Sequence, residues 1–163
     1  MAVGRITGFS AQSTYDYAEG DATPAYAGQL TLAKRQVWYL HSQNAVLVHD
    51  KLAAMVPHTY EFNVHAPVVM TVESPSSVKI AINGQSVCLR DLNGNAPFRK
   101  WTGPAPKPGV VEDHCAFHLA NDGKSMAEFL VLLDVGCLRP TVTVASSSVG
   151  RTVTVGGQVV NVN

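Results

Sequence analysis

The chain has 163 residues, 46% of them apolar and only 15% charged, with Lys+Arg and Asp+Glu both at 12 and no net charge. That length sets one domain, 1–163, as the expectation and can bury a stable core without disulfide or metal. The even charge balance argues against a basic nucleic-acid-binding face, and a chain built only to grip sulfated polymers would be more basic.

The opening MAVGRITGFSAQS has no charged segment followed by an apolar core, so no signal peptide is expected. No apolar run approaches the roughly 20 residues that span a bilayer. Period-two alternation then dominates the chain. It predicts strands at Arg5–Phe9, Thr14–Ala18, Gln29–Lys34, Gln36–His41, Ala45–Lys51, Thr59–His65 and Val68–Glu73. Further strands are expected at Val78–Ile82, Ser86–Asp91, Val111–Leu119, Ala127–Leu133, Thr141–Ala145, Thr152–Val155 and Val159–Val162. Turns separate them: Ser42-Gln43-Asn44, the strong hairpin pair Asn83-Gly84, then Asn121-Asp122-Gly123 and Gly156-Gly157. Leu30–Arg35 and Met126–Leu130 have some helical character, but the neighbouring strands override it.

Many short strands with frequent turns predict an all-β fold, an antiparallel two-sheet β-sandwich. Val69–Val72 and Phe129–Leu133 are the most apolar runs and are expected as central strands covered on both faces. Leu92–Pro108 breaks the rhythm with four prolines and three basic residues around Phe98 and Trp101, and is expected to be a long loop. The tail from Pro140 reads as an edge hairpin.

Cys88, Cys115 and Cys137 cannot all pair. Three buried thiols are expected, with one bridge plus a free thiol as the alternative.

Histidines raise the question of a metal. His114 and His118 share a strand face but lie roughly 13 Å apart, too far for one ion. His49 and Asp50 point to opposite faces. His65 is the candidate ligand, and zinc would need two or three partners that sequence does not supply. Arg35 is expected to pair across the sheet with Asp16, Asp21 or Asp50, which makes Asp16, Arg35 and Asp50 structural polar residues. Phe98, Arg99, Lys100 and Trp101 offer an aromatic platform and cations for a carbohydrate.

Several pieces fall in a meaningful order. Tyr15-Asp16-Tyr17, with Asp21 and Tyr26, precedes Arg35–Leu40; Val46–Asp50, Tyr60–His65 and Glu128–Leu133 follow. This order resembles the C-terminal β-sandwich domain of heparinase II/III-like polysaccharide lyases, over Tyr15 to Leu133. In that family a helical toroid precedes the β-domain and supplies most catalytic residues. This chain has no such helical region, and the early part of the β-domain, with its His and Asp, also has no counterpart. No catalytic residue is therefore carried over. Tyr15, Tyr17, Tyr26, Tyr39, Tyr60 and His65 have the chemistry of a lyase acid or base, but tyrosine on strands commonly serves packing.

The resemblance implies a non-catalytic domain that packs beside a helical catalytic domain and walls a carbohydrate cleft. The alternative is a stand-alone carbohydrate-binding or interaction module. The implied partners are an acidic polysaccharide and a neighbouring catalytic domain or a second copy of the chain. Nucleic acid is not among them. The implied parent is periplasmic or secreted. No cofactor is expected, zinc being the alternative.

Overall fold

The computed structural model describes residues 3–94, 98–118, 124–148 and 150–162. Its strands are β1 (Arg5–Ala11), β2 (Tyr15–Asp21), β3 (Leu32–Leu40), β4 (Ala45–Ala53), β5 (Glu61–Ala66), β6 (Thr71–Ser74) and β7 (Ser77–Ile82). They continue as β8 (Gln85–Asp91), β9 (Phe98–Pro104), β10 (Val111–His118), β11 (Met126–Val135), β12 (Val142–Ser147), β13 (Gly150–Val155) and β14 (Gln158–Val162). The fold is all-β and antiparallel, as a β-sandwich requires.

The expected pair of sheets is resolved into one large sheet and two small ones. Eight strands form the large sheet in the order β1-β2-β3-β4-β11-β8-β7-β6. One face is covered by β5-β10-β9 and the other by β12-β13-β14. The pleat of β11 explains how one strand serves both cores, because successive side chains point to opposite faces. Phe129 and Val131 join Phe62, Phe117 and Leu89 on one side. Leu130 and Leu132 join Trp38, Leu47, Val153 and Val160 on the other.

Local chemistry fixes the turns. Asn83 and Gly84 both have positive φ, 49° and 78°, which a two-residue hairpin needs. Gly156 and Gly157 close β13 onto β14 in the same way. A 3-10 turn at His41–Gln43 joins β3 to β4 and ends on Asn44 in the left-handed region. The predicted turn at 121–123 lies outside the described residues.

Four expectations are corrected. The loop at Leu92–Pro108 contains β9, which pairs with β10 from Phe98 opposite Phe117 to Pro104 opposite Val111. It is an edge strand whose proline is the last residue, where the missing N–H costs little. Pro106 and Pro108 fall beyond it, in a turn closed by the Ala105 N–H on the Val110 carbonyl at 2.9 Å. Second, Val69–Val72 is not central. Val69 is 76% exposed and β6 is an edge strand of the large sheet, so only Met70 is buried. Third, the two predicted strands around Arg35 are one, because Arg35 continues the alternation rather than interrupting it. Fourth, the tail is a separate three-stranded sheet, not an edge hairpin.

The cysteines also differ from the expected three thiols. Cys88 and Cys137 form a disulfide across 49 residues, and Cys115 is buried and free. Cys88 lies opposite Asp134 in the register of β8 and β11. The buried Asp134 carboxylate then accepts the Leu138 and Arg139 N–H groups at 3.0 and 2.7 Å, folding the chain back so that Cys137 meets β8. Burial pushes the Cys115 thiol up to about 11, so it stays protonated at neutral pH.

Candidate functional site

Two histidine-centred clusters emerge, one on each side of the large sheet. The first is set by the register of β5-β10-β9. His65 lies opposite His114, and His114 lies opposite Trp101. Inward residues of β10, Cys115 and Phe117, join the core, so Glu112 and His114 point outward together. The His65 Nδ1 atom is 3.0 Å from Glu112 Oε1, and His114 Nε2 is 3.9 Å from the same oxygen. The two imidazoles meet edge to face at 4.4 Å, and the Trp101 ring stacks on His114 at 5.2 Å. His114 is buried under these rings, and its Nε2 has no hydrogen-bond partner among the described residues.

The same strand alternation divides the predicted sugar-binding tetrad. Arg99 and Trp101 face outward, with the Arg99 guanidinium 4.5 Å from the Trp101 ring centroid and 3.0 Å from Glu61. Lys100 faces the core side and meets the buried Asp113 carboxylate at 2.6 Å. Lys100, with the Met70 N–H and Thr102, holds the Asp113 carboxyl below its usual range. The Phe98 and His118 side chains lie outside the described residues. Trp101 is thus already engaged by His114 and Arg99 rather than presented as a bare platform.

The second cluster lies where the opposite face of the large sheet emerges from under β12-β13-β14. Gln36 sits between Glu19 and His49 in the register of β2, β3 and β4. Its amide nitrogen donates to Tyr17 and Glu19, both at 3.0 Å, so its oxygen faces His49 Nδ1 at 3.0 Å. That arrangement places the proton of a neutral His49 on Nδ1 and leaves Nε2 as the lone-pair atom. Nε2 is 3.8 Å from a Glu128 oxygen, while Arg151 holds the other Glu128 oxygen and also donates to Asn93 at 2.8 Å. His49 is 2% exposed, and desolvation lowers its pKa to about 4. At neutral pH this imidazole is a fixed hydrogen-bonding group. A groove of about 780 Å³ runs alongside, lined by Lys51, Asn93, Lys124, Glu128, Ser146 and Arg151 among others.

The remaining sequence candidates have definite places. Arg35 pairs bidentately with Asp50, Nε to Oδ1 at 2.7 Å and Nη2 to Oδ2 at 2.6 Å. Asp50 hydrogen bonding raises the Arg35 pKa, keeping the guanidinium charged. Asp16 instead meets His41 Nε2 at 3.1 Å and raises that imidazole's pKa. Tyr15 and Tyr17 pack against the core beneath β12-β13-β14, and Tyr60 is buried in the other core. Tyr26 and Tyr39 are partly exposed and apart from both histidine clusters. Sequence reading missed Glu112, Gln36 and Glu128. The signal for Glu112 was available, because residues 112 and 114 share a strand face while Asp113 and Cys115 do not.

No family model and no curated protein matches this chain. Solved structures do. The heparan sulfate lyase HepC from Pedobacter heparinus superposes with a TM-score of 0.71 at 15% identity, over 98% of this chain and 28% of that one. A mutant of the same lyase gives 0.70 at 14% identity. A heparinase III with methylated lysines gives 0.74 at 10% identity, over 98% of this chain and 27% of that one. At these identities the likeness is one of fold. The chain spans little more than a quarter of the length of these lyases.

Proposed function

We propose that this chain is a single non-catalytic domain, the C-terminal β-sandwich of a heparinase II/III-like polysaccharide lyase. It packs beside a helical catalytic domain and walls an acidic-polysaccharide cleft. One observation carries this reading: the fold likeness takes in 98% of this chain but only 27% of the heparinase III structure, as one part of a larger enzyme would. Two features support it. Ile6 and Phe9 on edge strand β1 are 73% and 74% exposed, as residues that pack against a neighbour would be. The groove carries Lys51 and Lys124, cations suited to carboxylates and sulfates, beside the Arg151–Glu128 pair. A stand-alone module reading through Trp101 has less support, since that ring is already engaged.

The test uses heparan sulfate oligosaccharides as the first probe. The chain alone should form no unsaturated uronate product, and it should bind the acidic oligosaccharide more tightly than a neutral one. Lys51→Ala with Lys124→Ala should weaken that binding several-fold. Turnover by the chain alone, abolished by a tyrosine or histidine substitution, would overturn the non-catalytic reading. Equal affinity for acidic and neutral oligosaccharides would overturn the cleft.

A further inference from the structure

We propose that the outer face of β5-β10-β9 is a divalent transition-metal site, best suited to zinc, held by His65, Glu112 and His114 with water in the remaining position. This inference does not rest on the lyase reading. Two imidazoles and a carboxylate are the donor set of open zinc sites, where three protein ligands leave one position for water or a ligand. One ligand atom from each of the three residues lies within 4.8 Å of the other two. Tetrahedral zinc, with bonds near 2.0–2.1 Å, places its ligand atoms about 3.3–3.5 Å apart. The 3.0 Å and 3.9 Å separations around Glu112 bracket that spacing, so small side-chain rotations would close the site.

Two further observations point to a ligand. His114 is 6% exposed, yet its Nε2 has no hydrogen-bond partner among the described residues. A buried polar atom left this way costs free energy, and a metal bond would satisfy it. Beside it, Gly103 lies opposite Glu112 in the β9–β10 register. A Cβ at Gly103 would come within 3.1 Å of His114 Nε2, so the glycine keeps that edge of the imidazole open. The His65 side chain is half exposed, which gives the site a mouth to solvent for the exchangeable position. Asp113 and Cys115 point to the core side and do not join the ligand set.

The experiment titrates zinc, and cobalt as a spectroscopic probe, into the full chain after metal removal. One equivalent of zinc should bind and raise the melting temperature, because an ion that binds only the folded state stabilises it. Cobalt should give the intense visible bands of four-coordinate geometry. Losing an outer-shell partner typically costs 10–100-fold in metal affinity, so His65→Ala and Glu112→Gln, each removing a direct ligand, should weaken zinc by at least about tenfold. Gly103→Ala, which crowds Nε2, should also weaken it. His58→Ala, an exposed histidine outside the cluster, should leave it unchanged. His65 is exposed enough for its alanine variant to fold, which circular dichroism would check. Failure of the parent chain to bind zinc, or unchanged zinc affinity in His65→Ala, would overturn the proposal.

Discussion

His49 and His114 are alike in isolation and opposite in setting. Both are buried, both leave Nε2 without a hydrogen-bond partner among the described residues, and both have a glutamate oxygen just under 4 Å away. Around His49, Gln36 fixes one nitrogen, Arg151 engages the glutamate, and Lys51 adds to the opposition to positive charge. Around His114, a second imidazole faces the same carboxylate and solvent reaches one side. Neighbours therefore decide whether an orphaned imidazole is a neutral packing group or a ligand.

The largest break in this comparison acts on the sheet that carries only one of them. By loop-closure entropy over 49 residues, reducing Cys88–Cys137 should lower stability by about 4 kcal/mol. Hydrogen exchange should quicken in β8 and the end of β11 before it does in β10. Next, His49→Ala should cost about 2–4 kcal/mol, from the cavity and the unpaired Gln36 oxygen. His65→Ala should stay within about 0.5 kcal/mol. Urea denaturation of the two metal-free variants gives the contrast directly.

Acid should separate the sites further. His49 has a folded pKa of about 4 against an ordinary 6.5, so between those values the unfolded chain holds a proton that the folded chain lacks. Stability from this group is present above pH 6.5, falls as pH drops, and is fully lost near 4, a change of about 3 kcal/mol. The parent should therefore lose more stability than His49→Gln over that window. Glu128→Gln should cost about 1 kcal/mol by releasing Arg151, and should lower the His49 pKa further. The smallest effect is local: Asp16→Asn should move the His41 titration midpoint down toward the ordinary value, read by NMR.

Much of the strand layout was readable from alternation, because one-face burial repeats every two residues. Ala45–Lys51, Val78–Ile82 and Ser86–Asp91 fall inside β4, β7 and β8. What escaped has specific causes. Prolines hid β9, since their cost depends on whether a strand is central or at an edge. Apolar runs do not report layer number, so Val69–Val72 looked like Phe129–Leu133 although only the latter has sheets on both sides. The disulfide joins residues brought together by the turn around Asp134, and no local spacing announces it. Phe98, Arg99, Lys100 and Trp101 are neighbours in sequence, but a strand sends successive residues to opposite faces. His65 stands alone in the sequence because its partners arrive through register, 47 and 49 positions later.

The double-sided strand at the centre has a consequence for folding fidelity. A one-residue slip normally exposes a strand's apolar set and so rejects itself. In β11, Phe129 and Val131 would simply trade places with Leu130 and Leu132, and grease would still meet grease. Polar marks must do the proofreading instead. A slipped β4 would turn Asp50 to the opposite face of the large sheet and pull it from Arg35, and a slipped β11 would misplace the Asp134 carboxylate that closes the next turn. The few charges inside this sparsely charged chain thus act as its alignment code.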